Sequence, residues 1–211
     1  MKSLALTFAT LFLASTLHGQ APAPAGQTLP AVKVDIKRVT VSEQPTPQFS
    51  ASNVKDKRWR PKNWIEVDVE FDIQVPADAG GRNGSYSGLQ LNIYLALQHT
   101  TKDGKREVAQ GTLDLLSVPA GETCHALAYI SPASMRAIFM KDTVTASTDI
   151  QGWGVEFIAE GQRVAADAKP VNGPWWEKTD ALAILPGLLL NKLQTPFAPL
   201  WGDYDVPVKA K

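Results

Sequence analysis

Apolar and polar residues alternate along much of this chain with a period of two, the pattern of strands that bury one face. The cleanest run is WIEVDVEFDIQV at 64–75. There Ile65, Val67, Val69, Phe71, Ile73 and Val75 alternate without a miss against Glu66, Asp68, Glu70, Asp72 and Gln74. One face of this strand is expected to be buried and the acidic one wet. Leu89, Leu91, Ile93, Leu95 and Leu97 repeat the rhythm after a Gly-rich connection at 78–88. That connection tolerates positive φ, so the two runs can be antiparallel neighbours. Residues 32–41 form an earlier strand, with Val32, Val34 and Ile36 on one side. Later ones fall at 107–118, after the TKDG turn, and at 122–130. Trp153, Val155, Phe157 and Ala159 lead into a tight turn at Glu160 and Gly161, from which 162–169 returns as the second arm of a hairpin.

One segment breaks the period. Ser131 before Pro132 is an N-cap with proline at the first helical position, so SPASMRAIFM is a short helix with Met135, Ile138 and Phe139 on its apolar side. Burying an apolar strand side chain is worth about 1.5–3 kcal/mol, while ordering each backbone residue costs about 1–2 kcal/mol. No strand stands alone, and two half-wet sheets must cover one another. The expected fold class is all-β: an immunoglobulin-like antiparallel β-sandwich over 31–169 with one short helix. A closed barrel would satisfy the same periodicity. Residues 170–211 carry Leu182, Ile184, Leu185, Leu188, Leu189, Leu190 and Leu193 around Pro186 and Gly187. They are expected to pack on the sandwich as a C-terminal extension of the same domain.

The N-terminus adds a location. Lys2, an apolar run over 4–17 and the small residues Gly19 and Ala21 make a secretory signal peptide over 1–21. The run is shorter than the roughly 20 residues that span a bilayer, so no transmembrane span is expected after cleavage. Residues 22–30, rich in Pro and Ala, read as an extended tether. The product is expected in the periplasm, the outer membrane or at the cell surface.

Lys plus Arg and Asp plus Glu are balanced at 21 each, which gives no electrostatic case for nucleic acid. Cys124 is the single cysteine; it can form no intramolecular disulfide and suits a strand core. Catalytic motifs are absent: there is no nucleophile elbow, P-loop or HExxH. Outside the signal only His99 and His125 remain, and His125 and Cys124 point to opposite faces of a strand. Asp203 and Asp205 fall short of the six to eight oxygens calcium takes. No metal, no cofactor and no enzyme activity is expected. Binding is the better use of what remains. Lys57, Arg58, Trp59 and Arg60 mix cations with an aromatic ring in one loop, suited to carboxylates, sulfated glycan or a protein partner. Trp175, Trp176 and Trp201 either rest on the sandwich or face a neighbour.

The motifs TPFAPLWGDY at 195–204, PGLLLNK at 186–192 and RWRPKNWIEVDVEF at 58–71 resemble a family of exported immunoglobulin-like proteins from mucin-degrading and related bacteria. One member of that family lies in a gene cluster associated with type IV pilus-like structures. The resemblance covers most of the chain after the signal. It implies a sandwich related to archaeal pilus subunits, a place at the outer envelope and pilus-like assembly proteins as partners, and it carries over no catalytic residue. The cleavable N-terminal segment departs from a true pilin, so an accessory part suits the chain better than the main filament subunit. The alternative function is a carbohydrate-binding or adhesin module that takes a host or mucin glycan.

Overall fold

The computed structural model describes residues 32–55 and 57–210; the expected signal peptide and tether lie outside them. The strands are β1 (Lys33–Pro45), β2 (Asn63–Gln74), β3 (Ser85–Tyr86), β4 (Leu89–Thr100), β5 (Arg106–Leu115), β6 (Val118–Pro119) and β7 (Thr123–Ile130). Helices α1 (Pro132–Phe139) and α2 (Ala146–Asp149) precede β8 (Ile150–Ala159), β9 (Gln162–Lys169), β10 (Leu182–Pro186) and β11 (Leu190–Asn191). Two sheets, ordered β1-β2-β7-β11 and β10-β5-β4-β8-β9, face one another as a sandwich, and β3 pairs with β6.

The period of two sets what lies between the sheets. Ile65, Val67, Val69, Phe71 and Ile73 of β2 share one core with Leu91, Ile93 and Leu95 of β4 and Val155 and Phe157 of β8. The Phe71 and Phe157 rings touch across the interior with centroids 4.6 Å apart. In β1 the alternation slips at a bulge between Ile36 and Arg38. The slip lets Val34, Ile36, Val39 and Val41 all pack against the same core. Ser131 caps α1 as expected, its hydroxyl accepting from the Ser134 amide at 3.0 Å, and Met135 is buried beneath. Glu160 and Gly161 both take positive φ in the hairpin turn that joins β8 to β9.

Three expectations are corrected. The runs of β2 and β4 are not neighbours: β2 pairs with β1 and β7, and β4 pairs with β5 and β8 in the opposite sheet. The Gly-rich connection between them makes two short helical turns at Ala77–Ala79 and Gly81–Asn83 and changes sheet instead of closing a hairpin. Second, the acidic face of β2 is not wet. Glu66 is buried, while Asp68, Glu70 and Asp72 are half-buried, because the C-terminal extension lies over part of that face. Third, one strand departs from the antiparallel scheme, since β10 runs parallel to β5.

The extension does more than pack on the sandwich; it adds a strand to each sheet. From β10 on β5, the chain passes Leu189, which fills the space a side chain at Gly111 would need, and reaches β11 on β7. Farther on, the Val206 amide donates to the His125 carbonyl at 2.8 Å and Val208 bridges to Leu115. The β5 and β7 edges on this side are thereby covered, and the short strands β10 and β11 become the outer ones. Among the described residues no helix is long and apolar enough to cross a membrane.

Candidate functional site

The binding residues expected from sequence fall in three places. The first is a groove of about 880 Å³ between the 46–62 loop and α1, lined by Trp59, Arg60, Trp64, Pro132, Arg136 and Met140 among others. Thr46 anchors the base of the loop, its amide donating to the Lys62 carbonyl at 2.9 Å and its hydroxyl accepting from Trp64 Nε1 at 3.1 Å. Trp64 is thus committed to the scaffold, whereas Trp59 is 50% exposed and Met140 85%. Lys57 and Arg58 are exposed on the same loop but do not line the groove. Sequence reasoning found the loop and missed α1 as its opposite wall. The available signal was Met140, an apolar residue just past the helix end in the left-handed conformation, which nothing in the fold covers.

The second place is the outer face of the five-stranded sheet. Trp176 is buried, lying flat on Tyr94 with centroids 4.9 Å apart and pressed against Gly154, where any side chain would collide with its ring. Trp175 stands edge-on to it and its Nε1 donates to the Trp153 carbonyl at 3.4 Å. Beside them Glu156, 8% exposed, is saturated. Its Oε1 accepts from Asn92 at 3.1 Å and from the Tyr94 hydroxyl at 2.9 Å, and its Oε2 pairs with Arg163 at 3.2 Å. Burial, together with the Glu156 carboxylate it serves, holds the Tyr94 phenol well above its ordinary pKa. Around Trp176 this face is closed and the oxygens of Glu156 are used, while Trp175 lines a groove of about 610 Å³ with Gln98, Arg106 and Lys169.

The third place is the outer face of the four-stranded sheet, under Trp201. A second apolar cluster of Leu127, Tyr129 and Phe197 forms there, with Phe197 stacked on Tyr129 at 4.6 Å and Trp201 behind Phe197 at 6.1 Å. Lys192 locks the segment. Nearly buried, its ammonium meets Asp205 at 2.5 Å and donates to the Trp201 carbonyl at 3.1 Å. Asp205 is therefore an ion-pair partner. Asp68 accepts from Tyr204 at 2.6 Å and pairs with His125 at 2.9 Å, whose ring stacks on Tyr204 at 4.2 Å. Burial, then the hydrogen bond to Asp68, raises the Tyr204 phenol.

The remaining reactive groups lie apart. His99 pairs with Glu107 at 2.9 Å on the other sheet, and neither histidine has a hydroxyl or thiol hydrogen-bonded to it among the described residues. Cys124 is buried, and that burial pushes its thiol up to about 11. Among the described residues no three His, Cys, Asp or Glu side chains gather as a metal site.

An all-β sandwich whose own C-terminal extension completes both sheets, with an open groove at one helix, defines the structural class. The chain belongs to the family whose model matches residues 25–211. It is similar to a protein from Akkermansia muciniphila seen in a crystal structure, with a TM-score of 0.74 at 20% sequence identity. That likeness covers 85% of this chain and 94% of the other, and it shows the shared fold. No curated protein matches the sequence.

Proposed function

We propose that this chain is an exported, non-enzymatic protein of a bacterial cell envelope, an accessory component of a pilus-like or outer-envelope assembly that docks a partner protein beside Trp59. The observation that carries the reading is the groove itself: exposed apolar side chains at Trp59 and Met140, edged by Arg60, Lys62 and Arg136. An apolar floor with a cationic rim complements a partner that offers an apolar anchor flanked by carboxylates. The apolar N-terminal run and the motifs at 58–71, 186–192 and 195–204 support export and an envelope setting. A photo-crosslinking residue in place of Trp59, used in the native cell, tests it. Capture of envelope or pilus-cluster proteins, lost when Met140 and Arg136 are replaced by Asp and Glu, is the expected result. Labelling confined to soluble proteins outside the envelope would overturn it.

Carbohydrate binding is the second reading, favoured by the half-exposed Trp59 ring next to Arg60. Stacking on a ring with a cation beside it suits an acidic or sulfated sugar. A glycan panel on which Trp59→Ala changes nothing would remove that reading.

A further inference from the structure

Beyond Trp176 the outer face of the five-stranded sheet holds the groove of about 610 Å³ that Trp175 lines, and the docking proposed beside Trp59 makes no use of it. At its base Ala96 and Gly152 sit opposite each other in the β4–β8 pairing, so the sheet there carries one methyl group and nothing larger. Trp175, from the segment after β9, and Ser147, from α2, border the space. Trp175 is half-buried and its Nε1 is committed to the Trp153 carbonyl, so it offers ring carbons and no donor. The amides of Gln98 and Gln151 and the hydroxyl of Ser147 are exposed around it.

One cation serves this space. Arg106 is half-buried and spends one N–H on the Leu97 carbonyl at 3.2 Å. No Asp or Glu lines the groove, and the acids on adjoining elements are engaged elsewhere, Asp149 by Lys141 and Glu107 by His99. Lys169 also borders the groove, but its ammonium lies over the Trp153 ring, 5.8 Å from the centroid.

These groups select a chemical class. A guanidinium fork with donors to spare matches a carboxylate or sulfate in two parallel hydrogen bonds. Side-chain amides and a hydroxyl both donate and accept, as sugar hydroxyls do, and indole carbons suit the apolar face of a pyranose. The volume falls within the roughly 300–1,000 Å³ of ligand clefts; at about 30 Å³ for each water-sized group it takes about twenty, close to the bulk of a disaccharide. An extended acidic peptide is less well served, because β4 and β8 are interior strands and present no free edge for strand addition. We infer that the groove between Arg106, Trp175 and α2 binds a saccharide that carries a carboxylate or sulfate.

The test is an NMR titration of the full chain, following the Trp175 indole N–H. Glucuronosyl-glucose and a sulfated cellobiose are the acidic probes, cellobiose is the neutral counterpart and acetyl-Glu-Glu-amide is the acidic peptide. At least one acidic disaccharide should saturate, about tenfold or more tighter than cellobiose, and Arg106→Gln should abolish that preference. Tighter binding of the glucuronoside assigns the anion to a carboxylate, and tighter binding of the other acidic probe to a sulfate. Trp59→Ala should change nothing, which separates this site from the groove beside α1. No saturation by either acidic sugar, equal affinity for cellobiose, a peptide that binds as tightly, or loss of binding in Trp59→Ala overturns the inference. Thermal unfolding checks that Arg106→Gln folds. If it does not, Gln151→Glu at the exposed border carries the test: it should weaken the acidic sugar several-fold and spare cellobiose, and unchanged affinity there is equally fatal.

Discussion

Each sheet buries one glutamate on its outer face beneath the C-terminal extension, and the two are treated differently. Glu156 of the five-stranded sheet has both oxygens occupied, by Asn92, Tyr94 and Arg163, under a tryptophan that leaves no room. Glu66 of the four-stranded sheet meets neutral groups alone, the Gln44 amide at 3.1 Å and the buried Tyr129 hydroxyl. Near-equal burial, at 8% and 7% exposure, makes the contrast one of partners and not of depth. A buried carboxylate with a guanidinium among its partners is held more strongly than one met by neutral donors.

The contrast can be broken from the Trp176 side. Trp176→Ala removes the ring stacked on Tyr94 and should cost about 3–5 kcal/mol, read by urea denaturation; a loss under about 1 kcal/mol would mean that this face is not sealed as described. Nearly as large is the unlatching of the other face. Lys192→Met strands Asp205 without its ion-pair partner, a loss of about 3–5 kcal/mol that adding Asp205→Leu should largely reverse.

The sharpest comparison replaces the two glutamates in turn. Glu156→Gln should cost about 1.5–3 kcal/mol, since a charge-assisted contact is lost and an amide donor is set among existing donors. Glu66→Gln should cost less, about 0.5–1.5 kcal/mol, because the donors it loses, Gln44 and Tyr129, are neutral. Equal losses would erase the distinction.

Alkaline pH should weaken both faces and the core together. The unfolded Cys124 thiol loses its proton near 9.0 and the folded one only at about 11. Its contribution is therefore fully present below about pH 9 and is lost as pH rises through that window. Tyr94, Tyr129 and Tyr204, all raised chiefly by burial, act in the same direction, so a urea midpoint that holds steady from pH 8.5 to 11 would contradict the burial.

Much of the architecture was legible from the two-residue rhythm, because a strand that buries one face declares that face in sequence. β2, β4, the β8–β9 hairpin and the Ser131-capped α1 all follow from local pattern and local capping chemistry. Strand neighbours did not follow. A glycine-rich connection permits either a hairpin or a change of sheet, and the choice rests on contacts distant in sequence. The same limit governed the tryptophans: Trp59 stays half-exposed while Trp176 is buried, although both sit in polar, proline-containing segments.

Sequence alone determined that two half-apolar sheets would stack, that one short helix would interrupt them and that the extension from 170 onward would need something to cover. Only tertiary structure decided that this extension joins both sheets and roofs the acidic strand, turning an apparent solvent face into one that buries Glu66. The reason is that alternation records which side of a strand is apolar, whereas the cover on the polar side comes from residues more than a hundred positions away.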